Sequence, residues 1–371
     1  MKIFNAKVFL DGQFVSGGIE FDARFLSVGP EITSGDLDAR GAYIIPGLVD
    51  IHTHAAVGED ASDGKAEAMA VMGRYYAKEG VTSWLPTTMT LKEPVLTKAM
   101  EAIKSYKRPA DGAKVAGIHL EGPFLCYAKR GAQNADNLHA PDVDMFHRLN
   151  QASGGLVRLV TVAPEEPGAI TFIKEISKTC TVSVGHTTAD YDTAMAAYQA
   201  GASHATHLYN GMPGLLHRAP GVIAAASDAG ATVELIPDGF HIHPSVIRLT
   251  SRLFGDKLCL ISDSLRCAGM PDGDYELGGQ PITMKNGKAT LTGTDTLAGS
   301  SIHLMEGLRR SVSFGLSLEY AVTAATISPA KAIRMEDTLG AIAPGRCADF
   351  VILDEALQVK DVYIDGVSIH G

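Results

Sequence analysis

The chain has 371 residues, 46% hydrophobic and 20% charged, an ordinary globular balance with length for one large domain and a smaller one. Its formal net charge of −10 arises from 32 basic and 42 acidic residues. With no run of lysine or arginine, this argues against a nucleic-acid or anionic-membrane surface. A small anionic substrate held by one or two local cations remains compatible with it.

In chain order, residues 1–46 carry short alternating runs broken by turn residues, such as Lys7-Val8-Phe9-Leu10 before Asp11-Gly12, and predict strands of a small sheet. The start lacks the apolar stretch of a signal peptide, and no window of about 18 apolar residues predicts a membrane span. Five cysteines with no CxxC pair fit a reduced, cytoplasmic setting. The middle then alternates apolar, β-branched runs at 48–52, 81–86, 114–120, 157–162, 181–185, 203–208, 231–236 and 257–262 with amphipathic segments. Among the latter are 66–79, 93–106, 168–178, 189–200 and 244–254.

Eight such units predict an α/β fold, a closed (β/α)8 TIM-type barrel. No Gly-rich dinucleotide fingerprint supports an open doubly wound sheet. A Gly-rich insert at 264–299, with a hairpin turn at Asn286-Gly287, follows the last strand on the side where it would cover an active site. The tail, about 341–371, reads as strands again. The expected organisation is a catalytic barrel over 47–340 and a small β-sandwich-like domain built from 1–46 and 341–371.

Polar residues fall at the ends of these strands: His52 and His54, Glu121, His186, His207 and Asp263. His52 and His54 are two apart on a strand and project to one side. In a barrel all six converge on one mouth. Each alone has a dull explanation as a capping or loop residue. Together, four histidines and two carboxylates form a ligand set for a borderline divalent metal. His119, two before Glu121, is equally a supporting or a packing residue. No Gly-x-Ser-x-Gly elbow or Walker motif offers other chemistry, and Cys126 lacks a basic partner.

Pro46-Gly47-Leu48-Val49-Asp50-Ile51-His52-Thr53-His54 resembles the first-strand signature of the amidohydrolase superfamily. His119-Leu120-Glu121-Gly122-Pro123-Phe124, Gly185-His186, Ala205-Thr206-His207-Leu208-Tyr209-Asn210-Gly211-Met212, Asp238-Gly239-Phe240-His241 and Leu297-Ala298-Gly299-Ser300 resemble its branch that deacetylates N-acetylglucosamine 6-phosphate. The tail around Pro344-Gly345-Arg346 is also similar to superfamily endings.

The resemblance implies that Glu121, His186 and His207 ligate a divalent metal, Zn2+ first and Fe2+, Mn2+ or Co2+ as alternatives. His52 and His54 would hold a second ion, giving one or two per subunit. The fourth strand carries no lysine to bridge two metals, which leaves that ligand role to Glu121. Asp263 would be the catalytic acid and base. Gln133, Asn210, Gly211, Arg218 and His241 would bind a phosphorylated amino sugar, part of the site coming from the partner in a homodimer.

Two departures stand out. Gln133 occupies a position where relatives carry a histidine that polarises the carbonyl, and Arg266 follows Asp263 where relatives are less bulky, which would reshape the sugar pocket. The alternatives are an N-acetylgalactosamine-6-phosphate deacetylase, another amide-cleaving amidohydrolase, and a barrel that has lost its chemistry.

Overall fold

Strand Tyr43–Pro46 shows how the two ends of the chain are joined. It pairs in parallel with Lys2–Leu10 and antiparallel with Phe350–Leu353. Successive side chains on a strand point to opposite faces, and here the alternation separates two cores. Val8, Ile44, Phe350, Ile352 and Tyr363 pack into one cluster. Their neighbours Phe9, Ile45, Val351, Leu353, Val362 and Ile364 join the main core. The eight strands form one mixed sheet in which Phe25–Gly29 and Val367–Ser368 are the outer members. The sheet folds over so that Phe21, near one end of the strand order, meets Phe350 and Tyr363 near the other, with ring centroids 5.0 and 5.5 Å apart. That gives the small domain its sandwich-like form. The structure is a computed structural model that describes residues 1–370; Gly371 lies outside the described residues.

The middle of the chain is the expected barrel. Its strands in order are Leu48–Thr53, Val81–Thr88, Ile118–Glu121 (preceded by the short Lys114–Val115), Val157–Val162, Thr181–Val184, His204–Ala205, Thr232–Leu235 and Leu258–Leu260. Each is parallel to the next. The first and eighth meet at the mouth, where Asp263 N–H donates to His52 C=O (2.9 Å) and His54 N–H to Ser264 C=O (3.1 Å). Helices Ala66–Lys78, Glu93–Ser105, Ala169–Ile176, Tyr191–Ala200 and Pro244–Phe254 follow the predicted segments, and Val143–Ala152 and Gly221–Asp228 fill two further positions. Among the described residues no helix is long and apolar enough to cross a membrane.

The insert after the eighth strand is a three-stranded antiparallel sheet, Gly273–Leu277, Gln280–Lys285 and Lys288–Leu291. Asn286 and Gly287 make the two-residue turn between the last two strands, both at positive φ (51° and 73°), as a type I′ turn requires. Lys114 ties the barrel to the small domain: its Nζ lies 2.9 Å from Asp349 and 2.5 Å from Asp365.

Candidate metal centre and active-site cleft

The six strand-end residues meet at the mouth, all at least nine-tenths buried. Glu121 Oε1 lies 3.1 Å from His186 Nε2 and 3.0 Å from His207 Nε2, and the two imidazole nitrogens are 2.9 Å apart. A second group shares the same carboxylate. His52 Nε2 and His54 Nε2 are 3.3 Å apart. They lie 3.5 and 3.3 Å from Asp263 Oδ1, and His54 Nε2 is 3.2 Å from Glu121 Oε2.

The tautomers show what these contacts are for. His186 Nδ1 faces Lys129 C=O at 2.8 Å, and His54 Nδ1 faces Thr87 C=O at 3.1 Å. A carbonyl only accepts, so each Nδ1 carries the hydrogen and each neutral ring turns an Nε2 lone pair inward. His52 Nδ1 likewise donates to Glu234 Oε2 at 2.8 Å. Inward ring nitrogens therefore face carboxylate oxygens, an arrangement that a positive charge between them, a proton or a metal ion, satisfies. Ligand atoms about 3.3 Å apart are what a tetrahedral ion with bonds of about 2.0–2.1 Å would need, so the residues present fit a divalent metal.

The electrostatics agree. Burial works against a charge on His54, but Asp263 and Glu121 outweigh it and push its pKa up to about 9. His52 is raised well above its usual value in the same way, burial being overcome by Glu234, Glu121 and Asp263. Glu121 is held well below the carboxylate range although burial opposes this, because His52, His186 and His207 surround it. The carboxylates draw positive charge into the site, and a divalent ion would supply it in place of protons.

His186, His207 and Asp263 have φ of 48°, 26° and 49°, a left-handed region that costs non-glycine residues about 1–3 kcal/mol and clusters at functional sites. Each sits where its strand turns into a loop, and the turn aims the side chain across the mouth. Gly211 lies over the same point, where a Cβ would come within 3.0 Å of His186 Nδ1.

A cleft of about 190 Å³ opens above the cluster. His54, Glu121, His186, His207 and Asp263 form its floor, with Gln133, Asn210, Gly211 and His241 around it. Leu277, Thr296 and Leu297 of the insert complete the wall, so the insert does border the site. Asn210 directs its amide hydrogens to its own loop, at His207 C=O and Leu208 C=O (3.2 and 3.3 Å). His241 is oriented by Asp238, 2.7 Å from its Nδ1.

Gln133 is engaged at both ends of its amide, at Thr90 and Glu121. Arg218 is not part of this wall; it lies exposed on the loop after Met212. Arg266 also stays out of the cleft, pairing with Asp63 and Gly58 C=O in the loop after the first strand. The expectation that it reshapes the sugar pocket is therefore corrected.

Glu234 escapes a reading of the sequence. Completely buried in the seventh strand, it accepts from His52 Nδ1 (2.8 Å) and from the His207 backbone N–H (3.0 Å), with His204 Nε2 at 3.2 Å. Its only signal is a lone carboxylate in the apolar run Val233-Glu234-Leu235-Ile236. His119 supports from below, its Nε2 2.8 Å from Thr161 Oγ1 and its ring edge-on to His52 at 4.4 Å. Burial and the neighbouring His52 hold its pKa well below the usual value, so it stays neutral.

A model of the amidohydrolase family matches residues 43–369. The N-acetylglucosamine-6-phosphate deacetylase of Bacillus subtilis (strain 168) is 37% identical over 326 residues, covering 86% of this chain and 82% of that protein. The N-acetylgalactosamine-6-phosphate deacetylase of Escherichia coli O157:H7 is 34% identical over 327 residues, covering 87% and 86%. Among solved structures, a mutant N-acetyl-D-glucosamine-6-phosphate deacetylase of Mycobacterium smegmatis in complex with N-acetyl-D-glucosamine-6-phosphate superposes with a TM-score of 0.94. It is 32% identical, with 100% of this chain and 99% of that chain covered.

Proposed function

The chain belongs to the amidohydrolase family, and from that premise we propose that it hydrolyses N-acetylglucosamine 6-phosphate to glucosamine 6-phosphate and acetate. The observation that carries the reading is the convergence of Glu121, His186 and His207, within 3.1 Å of one another, beside Asp263 at the floor of the cleft. A divalent ion held by Glu121, His186 and His207, with a second at His52 and His54, would supply Lewis-acid chemistry that activates water near neutral pH and polarises the acetamide carbonyl.

Asp263 does the proton work. Its carboxylate takes a proton from the attacking water and delivers it to the sugar nitrogen as the C–N bond breaks. Without that proton the amine would have to leave as an amide anion, a very poor leaving group. The small cleft favours a monosaccharide over a polymer, since sites for drug-sized ligands run to roughly 300–1,000 Å³.

Asn210, Gly211 and His241 are the chain's own contacts for the sugar phosphate. Zinc is the assigned ion, on the strength of a histidine and carboxylate ligand set. We assign a homodimer in which the partner's copy of Arg218 reaches the phosphate. Support comes from the exposure of Arg218 beside Leu215 and Leu216, large apolar side chains 44% and 61% exposed on the same loop. Five cysteines without a disulfide support a cytoplasmic setting.

The test is acetate release from N-acetylglucosamine 6-phosphate, run beside its galactose epimer and the unphosphorylated sugar, with chelator and metal add-back. Chelator-sensitive release from the phosphorylated glucose form is expected. Release from the galactose epimer alone would favour the second reading, which the Escherichia coli relative supports. No release from any of the three by metal-replete protein would sink both.

A further inference from the structure

We infer that Gln133 is a positioning residue for Glu121, acting through that metal-ligating carboxylate rather than on the substrate. The inference rests on the metal reading of the cluster and not on the identity of the sugar.

The orientation of the amide is fixed independently of Glu121. Thr90 N–H donates to Gln133 Oε1 at 2.8 Å, and a backbone N–H has no use for an amide nitrogen. The NH2 end therefore points the other way, where Nε2 donates to Glu121 Oε2 at 2.7 Å. Both side chains are buried, at 6% and 2% exposure.

The last torsion of a glutamate is broad and roughly two-fold, so packing alone leaves the carboxylate plane loosely defined. A hydrogen bond on Oε2 sets that plane. It leaves Oε1 facing His186 Nε2 and His207 Nε2 at 3.1 and 3.0 Å. An amide is also neutral, so it steadies the ligand without competing for its charge.

The strut is part of a larger brace. Lys129, four residues earlier, offers the carbonyl that fixes the tautomer of His186. Gln133 N–H closes a turn on Arg130 C=O at 3.0 Å. On the far side Asn137 Nδ2 donates to Thr90 C=O at 3.2 Å, so the Thr90 peptide is gripped by the same loop at both ends. One short stretch thus braces two of the three ligands at the mouth, Glu121 through the Gln133 side chain and His186 through the Lys129 carbonyl. Partners of this kind affect metal affinity by about 10–100-fold.

The test measures zinc affinity by chelator competition on metal-stripped protein, with the zinc-dependent rise in melting temperature as a second readout. Gln133→Met keeps the length and removes the donor. Gln133→Ala serves if that variant fails to fold. The expected result is a zinc affinity about 10–100-fold weaker in Gln133→Met, with most of kcat recovered at saturating zinc. An affinity within about threefold of the parent protein overturns the inference, and a kcat loss persisting at saturating zinc in that case would place Gln133 on the substrate. A parent protein that takes up no zinc also overturns it, whereas one that binds zinc but releases no acetate sinks only the deacetylase reading.

Discussion

The two halves of the ligand cluster are braced from opposite sides. Glu121 and His186 are held by the loop that follows the third strand, through Gln133 and the Lys129 carbonyl. His52 and His54 are held from within the barrel wall, through Glu234 on the seventh strand and the carbonyl of Thr87 on the second. Loops open locally at lower free energy than core strands. The mouth-braced half therefore responds to loop order, and the wall-braced half to the barrel itself. Glu121 belongs to both: Oε1 faces His207 Nε2 and lies 3.5 Å from His52 Nε2, and Oε2 faces His54 Nε2.

Breaking the shared member has the largest effect. Glu121→Gln should abolish acetate release and lower bound metal, which elemental analysis beside the assay would check; metal content equal to that of the parent would contradict the shared-ligand geometry. Next comes Asp263→Asn. It should cost about 10²–10⁴ in kcat, the contribution of a positioned acid and base, while the ion at Glu121, His186 and His207 stays bound. Normal turnover in this variant would remove Asp263 from the proton path.

Glu234→Gln sharpens the comparison, because it touches His52 by side chain and His207 only by backbone. Metal affinity should weaken about 10–100-fold, with titration showing the ion proposed at His52 and His54 lost first. Simultaneous loss of both ions would mean that the halves are not separately braced. Lys114→Met should have the smallest effect on the site. It removes a partly buried charged partner of Asp349 and Asp365, costing about 1.5–3 kcal/mol of stability. Urea melts should show that cost while zinc affinity is unchanged.

The barrel and its strand-end residues were legible because metal-ligating residue types fall where apolar runs end. Apolar runs mark the strands; His54, Glu121, His186 and Asp263 stand just past a run's end, and His207 one residue before one. The local geometry was not legible. The sixth strand, expected over 203–208, is laddered only at His204–Ala205, because the chain turns towards the mouth and His207 enters the left-handed region. The third strand, expected unbroken over 114–120, is split at 116–117, where Gly117 allows close approach to Arg158.

Side-chain partners from distant strands were the least readable part. Glu234 resembles any isolated carboxylate until folding brings His52, 182 residues away, to its oxygen. Arg266 follows Asp263 by three residues, yet its charge is claimed by Asp63 in the loop after the neighbouring first strand. Proximity in sequence says little about the direction of a long side chain.

The two-ended sheet of the small domain also sets the order in which the chain can be built. Its central pairing joins Ile44 to Ile352, about 300 positions apart, so the first four dozen residues leave the ribosome long before their partners exist. At roughly 5–20 residues per second, the edge of Tyr43–Pro46 stays open for some 15 to 60 seconds during synthesis. In that interval the early strands carry an unpaired edge, a liability that only the arrival of Phe350–Leu353 removes.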